Sequence, residues 1–404
     1  MATPFLPARD TILDGLIQGS TIDSAASGGV ITYSFLNESG IWSGGDPPAR
    51  TWTEAEEARI ESALGRWADV TPLTFVRAPD DDPSATLTFE WFSTPVRLMG
   101  LGAYPDMSLY GEPALTGAIA LNARYLDADT MNDGDFGFAV ALHEIGHALG
   151  LKHTFDDAGL DRPTFAELGL ESHNSYAFTV MSTNAPDAPG QNAATPSMFD
   201  IVAIQSLYGV RTARTGDDTY AISSHALHTI WDSGGTDTID ASAYPGNGQG
   251  LVISLNEGEL SAPLPDAEGR TAPVLGIAFG VQIENAVGTP FADTILGTGG
   301  NNVLNGGAGS DTLIGRGGND TLTGGPGADS FLFAVGGGHD TITDFSPADG
   351  DVIMLGNRAI TDFASLSGSL SDIEGGVRLT LDSSNDITLL GTSRADLHAD
   401  VALG

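Results

Sequence analysis

The chain has no cysteine, so neither a disulfide nor a thiolate metal site can form. It has one lysine, Lys152, and its 16 basic residues face 53 acidic ones, a formal charge of −37. A surface so short of cations excludes nucleic acid and anionic membrane as expected partners. No apolar run is long enough to span a membrane. The N-terminus, MATPFLPARDTILDGLIQGS, lacks a basic stretch followed by an apolar one, so it does not read as a Sec signal peptide. If the protein is exported, the route is another.

What is present fills 404 residues, with 41% hydrophobic and 53 glycines. That is enough for two domains with cores of their own. So much like charge in a compact fold calls for counter-cations, and Ca2+ suits carboxylate oxygen.

One undecapeptide concentrates the chemistry: HEIGHALGLKH, His143 to His153. It reads H-E-x-x-H-x-x-G-x-x-H. A spacing of four puts His143 and His147 on one helix face, close enough to share a metal ion. Glu144 lies beside them as a candidate general base. Gly150 allows a left-handed exit from the helix, which swings His153 back as a third ligand. Three imidazoles leave a tetrahedral zinc one open position, the mark of a catalytic site.

Before the motif, Val30–Phe35 reads as a strand, and Thr53 with Glu56 forms a capping box that opens a helix. Ile60, Leu64 and Trp67 share that helix's core stripe. Strands are expected at 74–76, 85–89 and 117–122. Asp133-Gly134-Asp135 is expected to cap the motif helix, which starts near Phe136. Residues 1–28 read as a pro-segment or an arm. Past the motif, Pro163, Pro186, Pro189 and Pro196 mark loops, and residues 199–208 form a helix stopped by Gly209. There the composition shifts to Gly, Asp, Thr and Asn. The expected domains are 1–208 and 209–404.

From Gly288 the chain repeats every nine residues: GTPFADTIL, GTGGNNVLN, GGAGSDTLI, GRGGNDTLT, GGPGADSFL. Position six holds Asp293, Asn302, Asp311, Asp320 and Asp329. Position eight is apolar throughout, at Ile295, Leu304, Leu313, Leu322 and Phe331. Glycines, among them Gly306, Gly315 and Gly324, make the turns, and the carboxylates offer Ca2+ hard oxygen between stacked coils. Two units make one coil, so Asp293, Asp311 and Asp329 share one edge, and Asn302 and Asp320 the other. Without metal the aligned carboxylates repel, so folding is expected to be coupled to calcium.

The ordered set LGRWADVTPLTF, HEIGHALGLKH, TVMST, FDIVAIQSLYG, RTGDDTY, WDSGGTDTID, VQIENAVG, the nonapeptides and HDTITDF resembles a serralysin-type metalloprotease, a secreted metzincin. The fold that this implies is α+β. An N-terminal metzincin-like catalytic domain, a mixed sheet with long helices, precedes an all-β domain containing a parallel β-roll. The resemblance implies a zinc endopeptidase acting on proteins or peptides, with His143, His147 and His153 as zinc ligands, Glu144 as base and Met181 in a Met-turn. It implies calcium at Arg214, Gly216, Asp218, Asp232, Gly234, Gly235, Asp237, Glu284, Asp293 and the nonapeptide loops. It also implies export by a type I secretion system, with the strand at 117–122 as the edge on which substrate is laid; a monomer is expected, although the sequence does not show the oligomeric state. Two positions depart from the pattern. Thr183 stands where a tyrosine is usual, which lowers the expected rate by a factor of about 10² where that phenol serves as an oxyanion donor. Thr154 replaces a proline. A competing reading is a secreted calcium-binding adhesion module with a weakened zinc site; intact Glu144 argues for the enzyme. The ending DVALG resembles the family's acidic-apolar ending only loosely.

Overall fold

The computed structural model describes residues 7–22, 28–42, 47–107, 112–156, 162–184, 192–246, 248–265, 272–333, 337–356, 358–359 and 368–398. Pro186, Pro189 and the ending at 400–404 lie outside them. The chain forms two compact units. One comprises Met1–Ala213 with His225–Trp231, the other Arg214–Ser224 with Asp232–Gly404.

The first unit is built on a five-stranded sheet. Its strands are β1 (Val30–Phe35), β2 (Thr74–Arg77), β3 (Leu87–Phe92), β4 (Gly100–Gly102) and β5 (Ala118–Asn122), in the order β2-β1-β3-β5-β4. β1, β2, β3 and β5 run parallel, and β4 alone is antiparallel, with Leu101 opposite Ala120. β5 is therefore an inner strand. The expectation that it forms the edge is corrected: β4 covers it and takes the edge. Three residues, two of them glycine, are too short to leave a periodic trace in the sequence.

Among the described residues four α-helices accompany the sheet: α1 (Arg9–Leu16), α2 (Glu54–Val70), α3 (Phe136–Ala148) and α4 (Met198–Tyr208). The Thr53–Glu56 capping box opens α2, with both reciprocal bonds made. Ile60, Leu64 and Trp67 of α2 are buried. α3 is buried on every side from Gly137 to Ala148, which makes it the central helix. Asp135 stands at its N-cap, but its carboxylate accepts from Asn132 and makes no bond to the helix. The expected side-chain cap is thus absent, because the nearer Asn132 amide takes the oxygen.

The N-terminal segment is part of this core. Ile12 and Leu16 of α1 are buried, and α1 packs on α4. Ile17 then bridges Leu151, the Gln18 N–H donates to the Gly150 carbonyl, and the Lys152 N–H donates to Leu16.

Among its described residues the second unit is all β apart from the short helix Arg394–His398. The strands Thr294–Leu296, Thr312–Ile314 and Ser330–Phe333 pair in parallel in one sheet. Val303–Asn305 and Thr321–Thr323 pair in the other. Neighbours on each side are 18 residues apart, which is two nonapeptides per coil. Ile295, Leu304, Leu313, Leu322 and Phe331 fill the space between the sheets and are wholly buried.

Candidate active site

α3 carries His143, Glu144 and His147, and Gly150 ends the helical path. Gly150 has φ +104°, and a Cβ there would lie 2.4 Å from the Ser20 carbonyl oxygen. Only glycine fits both conditions. The chain then turns, and His153 comes back to face the other two rings.

The three Nε2 atoms converge. His153 Nε2 lies 3.1 Å from that of His143 and 3.0 Å from that of His147. Two nitrogens bound to one tetrahedral zinc stand about 3.3 Å apart, from bond lengths near 2.05 Å. The opposite ring nitrogens are all engaged. His143 Nδ1 donates to the Val180 carbonyl at 2.7 Å, and His147 Nδ1 to the Leu151 carbonyl at 2.8 Å. His153 Nδ1 meets the Asp156 carboxylate at 2.6 Å. A carbonyl can only accept, so the proton sits on Nδ1 of both helical histidines and a lone pair on their Nε2. Burial, then the neighbouring histidines, push His143 down to about 4 and His147 well below its ordinary value. Neutral imidazoles whose lone pairs converge fit a divalent cation.

Glu144 is 6% exposed, beside the rings. It lies against β4: a Cβ on Gly100 would be 2.5 Å from its Oε1, and one on Gly102 2.5 Å from its backbone oxygen. Burial pushes its carboxyl up to about 8, opposed by a hydrogen bond from the Gly102 backbone. The cleft beside it holds about 400 Å3 and is lined by β4, the triad, Arg97, Tyr104, Phe136, Asp156, Tyr176, Ser182 and Thr183. Tyr176 is buried here. Burial and then the Glu144 charge push its phenol up to about 12.

Met181 is wholly buried, and a Cβ on Gly146 would lie 2.8 Å from its Sδ. Its sulfur therefore rests on α3 one residue before His147. The turn is anchored by Asp200 of α4, which accepts from the Val180 N–H at 2.8 Å and the Thr179 hydroxyl at 2.5 Å. Since the Val180 carbonyl also accepts from His143 Nδ1, Asp200 positions a histidine from two hydrogen bonds away. Buried Thr154 donates to Asn174 Oδ1 at 2.7 Å, a bond that proline could not make.

In the second unit, Asp218, Asp232 and Asp237 bring carboxylate oxygens within 4.8 Å of one another. Glu284 accepts from the Asp237 N–H at 2.8 Å. A Cβ on Gly235 would lie 2.0 Å from the Gly216 carbonyl oxygen, so those two backbones touch. Arg214 and Gly234 adopt φ +53° and +130° in the two facing turns. In the coils, three position-six Oδ1 atoms accept an N–H one coil earlier: Asp311 from Asp293, Asp329 from Asp311, and Asp320 from Asn302, all at 2.8 Å. Asp351 and Asp340, which the repeat reading did not single out, continue the two ladders. Gly306, Gly315 and Gly324 leave room for these carboxylates, since a Cβ there would lie 2.0–2.4 Å from an Oδ2 of Asp311, Asp320 or Asp329. Oδ2 of Asp237, Asp311 and Asp329 is buried without a hydrogen-bond partner. A buried carboxylate oxygen with no donor is what a bound cation satisfies. Asp293 differs: its oxygens accept from the Leu251 and Thr289 backbones and the Thr289 hydroxyl. Asn302 accepts from the Thr298 N–H and donates to the Glu284 carbonyl.

Comparison with known proteins decides the lineage. Residues 199–401, half of the chain, match the family described as Peptidase M10 serralysin C terminal, and residues 30–168 match Matrixin. The chain belongs to the serralysin family. It is 32% identical to Serralysin B of Dickeya chrysanthemi over 66% of this chain and 58% of that protein. It is 34% identical to Metalloprotease AprA of Pseudomonas entomophila over 68% and 60%. A Serralysin of Photorhabdus laumondii is 33% identical over 74% and 64%. The chain thus spans about three fifths of the length of the curated relatives it matches. Zinc and calcium are the family's metals, and the two sets of residues above fit them.

Proposed function

We propose that this serralysin-family chain is a secreted zinc endopeptidase whose second unit sets around calcium. One observation carries the reading: three imidazole Nε2 atoms converge beside a buried carboxylate in a cleft bordered by β4, the edge strand of the sheet among the described residues.

His143, His147 and His153 would hold zinc through Nε2. Zinc bound there supplies Lewis-acid activation of water and of the scissile carbonyl. The remaining work belongs to the chain. β4, the edge strand among the described residues, offers an extended peptide its outer side, and Gly100 and Gly102 let that strand lie flush against Glu144. The Gly102 N–H steadies the Glu144 carboxylate. Burial alone favours the neutral carboxyl of Glu144, and a dication held beside it would favour the ionised one; as carboxylate Glu144 takes the proton of the attacking water and delivers it to the departing amine nitrogen. Tyr176 stays protonated at neutral pH and borders the same cleft, so a phenol is at hand although Thr183 brings none. Met181 and Asp200 keep the histidines from turning.

Calcium would be held by Asp218, Asp232, Asp237 and Glu284 with the turn carbonyls of Arg214, Gly216, Gly234 and Gly235. Within the coils Asp311, Asp320 and Asp329 would bind it, with Asp293 and Asn302 closing the first rungs. Extracellular Ca2+ modules bind at about 10⁻⁴–10⁻³ M, so the second unit would set only after export, in our reading by a type I system. Among the described residues no helix is long and apolar enough to cross a membrane.

The test is casein cleavage by the calcium-loaded chain, its Glu144→Ala variant and a chelator-treated sample. Cleavage by the wild type alone is the expected result. Equal rates in wild type and Glu144→Ala would abolish the mechanism and leave a calcium-binding adhesion module as the better reading.

A further inference from the structure

The three histidines are not held alike. His143 and His147 sit on one buried helix and lean on neutral carbonyls. His153 sits on the chain beyond Gly150, and its Nδ1 meets an anion, Asp156. The loop between them is closed from beneath by Lys152. This is the chain's one lysine, and it is wholly buried. Its Nζ donates to the carbonyl of His153 at 3.1 Å and to that of Asp156 at 2.9 Å. One ammonium therefore ties both ends of the segment that carries the ring and the carboxylate.

The two bonds fix the backbone on either side of Phe155, and so the point from which the Asp156 side chain, 36% exposed, reaches the His153 ring. A carboxylate on Nδ1 fixes the proton there, presents the Nε2 lone pair and strengthens that nitrogen as a donor.

We propose that Lys152 and Asp156 form a brace that makes His153, the one ligand off the helix, a strong and pre-aimed metal donor. Lys152 is a positioning residue that acts through Asp156, and Asp156 acts through His153. Phe155, between them in sequence, stacks on the His153 ring at 4.6 Å and 18°, and so opposes rotation from the other side.

The inference rests on the zinc reading above, and its test separates the two. Full-length chain, calcium-loaded and stripped of transition metal, is titrated with Zn2+ against a chromophoric chelator. The variants are Asp156→Asn, Lys152→Met and the double variant; Co2+ absorption spectra are recorded in parallel. Asp156→Asn is expected to weaken zinc binding about 10–100-fold. It should shift the Co2+ ligand-field bands while leaving the metal-free melting temperature in place. Lys152→Met is expected to weaken zinc as well, and the double variant no further than Asp156→Asn alone, because the lysine works through that carboxylate. Asp156→Asn with wild-type zinc affinity and an unchanged Co2+ spectrum overturns the brace. Additive losses in the double variant overturn the part given to Lys152. Should Lys152→Met not fold, Asp156→Asn and its spectrum decide alone. A wild-type chain that takes up no zinc would sink the zinc reading instead.

Discussion

Replacing Asp311 by asparagine should act in opposite directions with and without calcium. Asp311 is 1% exposed. Its Oδ1 accepts from the Asp293 N–H at 2.8 Å, and its Oδ2 has no partner. Burial, then the charges of Asp293 and Asp329, push its carboxyl up from 3.8 to about 7. A carboxyl raised in the fold stabilises it fully below 3.8, and that contribution is lost as pH rises through about 7. At neutral pH the loss is about 4 kcal/mol in the metal-free protein. Asparagine keeps the Oδ1 bond and removes the charge, but leaves a buried amide unpaired, which costs about 1–3 kcal/mol. The net gain without calcium is about 1–3 kcal/mol. With calcium the same change removes a charged ligand and should weaken the fold.

The assay is circular dichroism and scanning calorimetry of the full chain. In chelator, the wild-type β signal of the second unit should rise as pH falls from about 8 to 5, since protons replace the missing cation. Asp311→Asn should move that rise to higher pH. In saturating calcium at neutral pH it should lower the melting temperature of the second unit, by about 2–4 °C per kcal/mol lost. A shift of the same sign in both conditions would refute the reasoning. So would a wild-type second unit indifferent to acid.

The first unit gives further expectations. Gly102→Ala sets a Cβ 2.5 Å from the Glu144 carbonyl oxygen and 2.9 Å from the His147 Cβ, so β4 must move off α3. A displacement near 1 Å should lower kcat/KM about 10²-fold, read with a quenched peptide, and metal analysis should still find the zinc. Met181→Leu conserves volume and should cost less than about 1.5 kcal/mol, whereas Met181→Ala should cost about 2–5 kcal/mol in denaturant titrations. Thr53→Ala removes one half of the α2 capping box and should cost about 1 kcal/mol, visible as a lower melting temperature for the first unit alone.

Local pattern carried much of this molecule into view. The four-residue spacing of His143 and His147 fixes a helix face, and a face needs no distant partner to be read. The same holds for the Thr53–Glu56 box, whose two bonds lie within four residues. The nonapeptides are legible because each coil repeats the same contacts with the next, so the pattern of one unit predicts its neighbour. Asp340 and Asp351 escaped because the intervals widen to 20 and 22 residues where the repeat ends. β4 escaped for a different reason: a three-residue strand is made by its partner, and Leu101 finds Ala120 only in the fold.

By itself, then, the sequence determined the kinds of atoms available: three imidazoles and a carboxylate at helical spacing, and a column of carboxylates at coil spacing. Tertiary structure decided where those atoms meet and what holds them. It put β4 along Glu144, Asp156 on His153, Asp200 behind the Met181 turn, Tyr176 in the cleft, and α1 against α4 with its chain bonded to Gly150. Each of these joins segments that are far apart in the chain or hangs on a side-chain direction. Pairing of that kind is settled by burial and hydrogen-bond satisfaction across the whole fold, which no local period encodes.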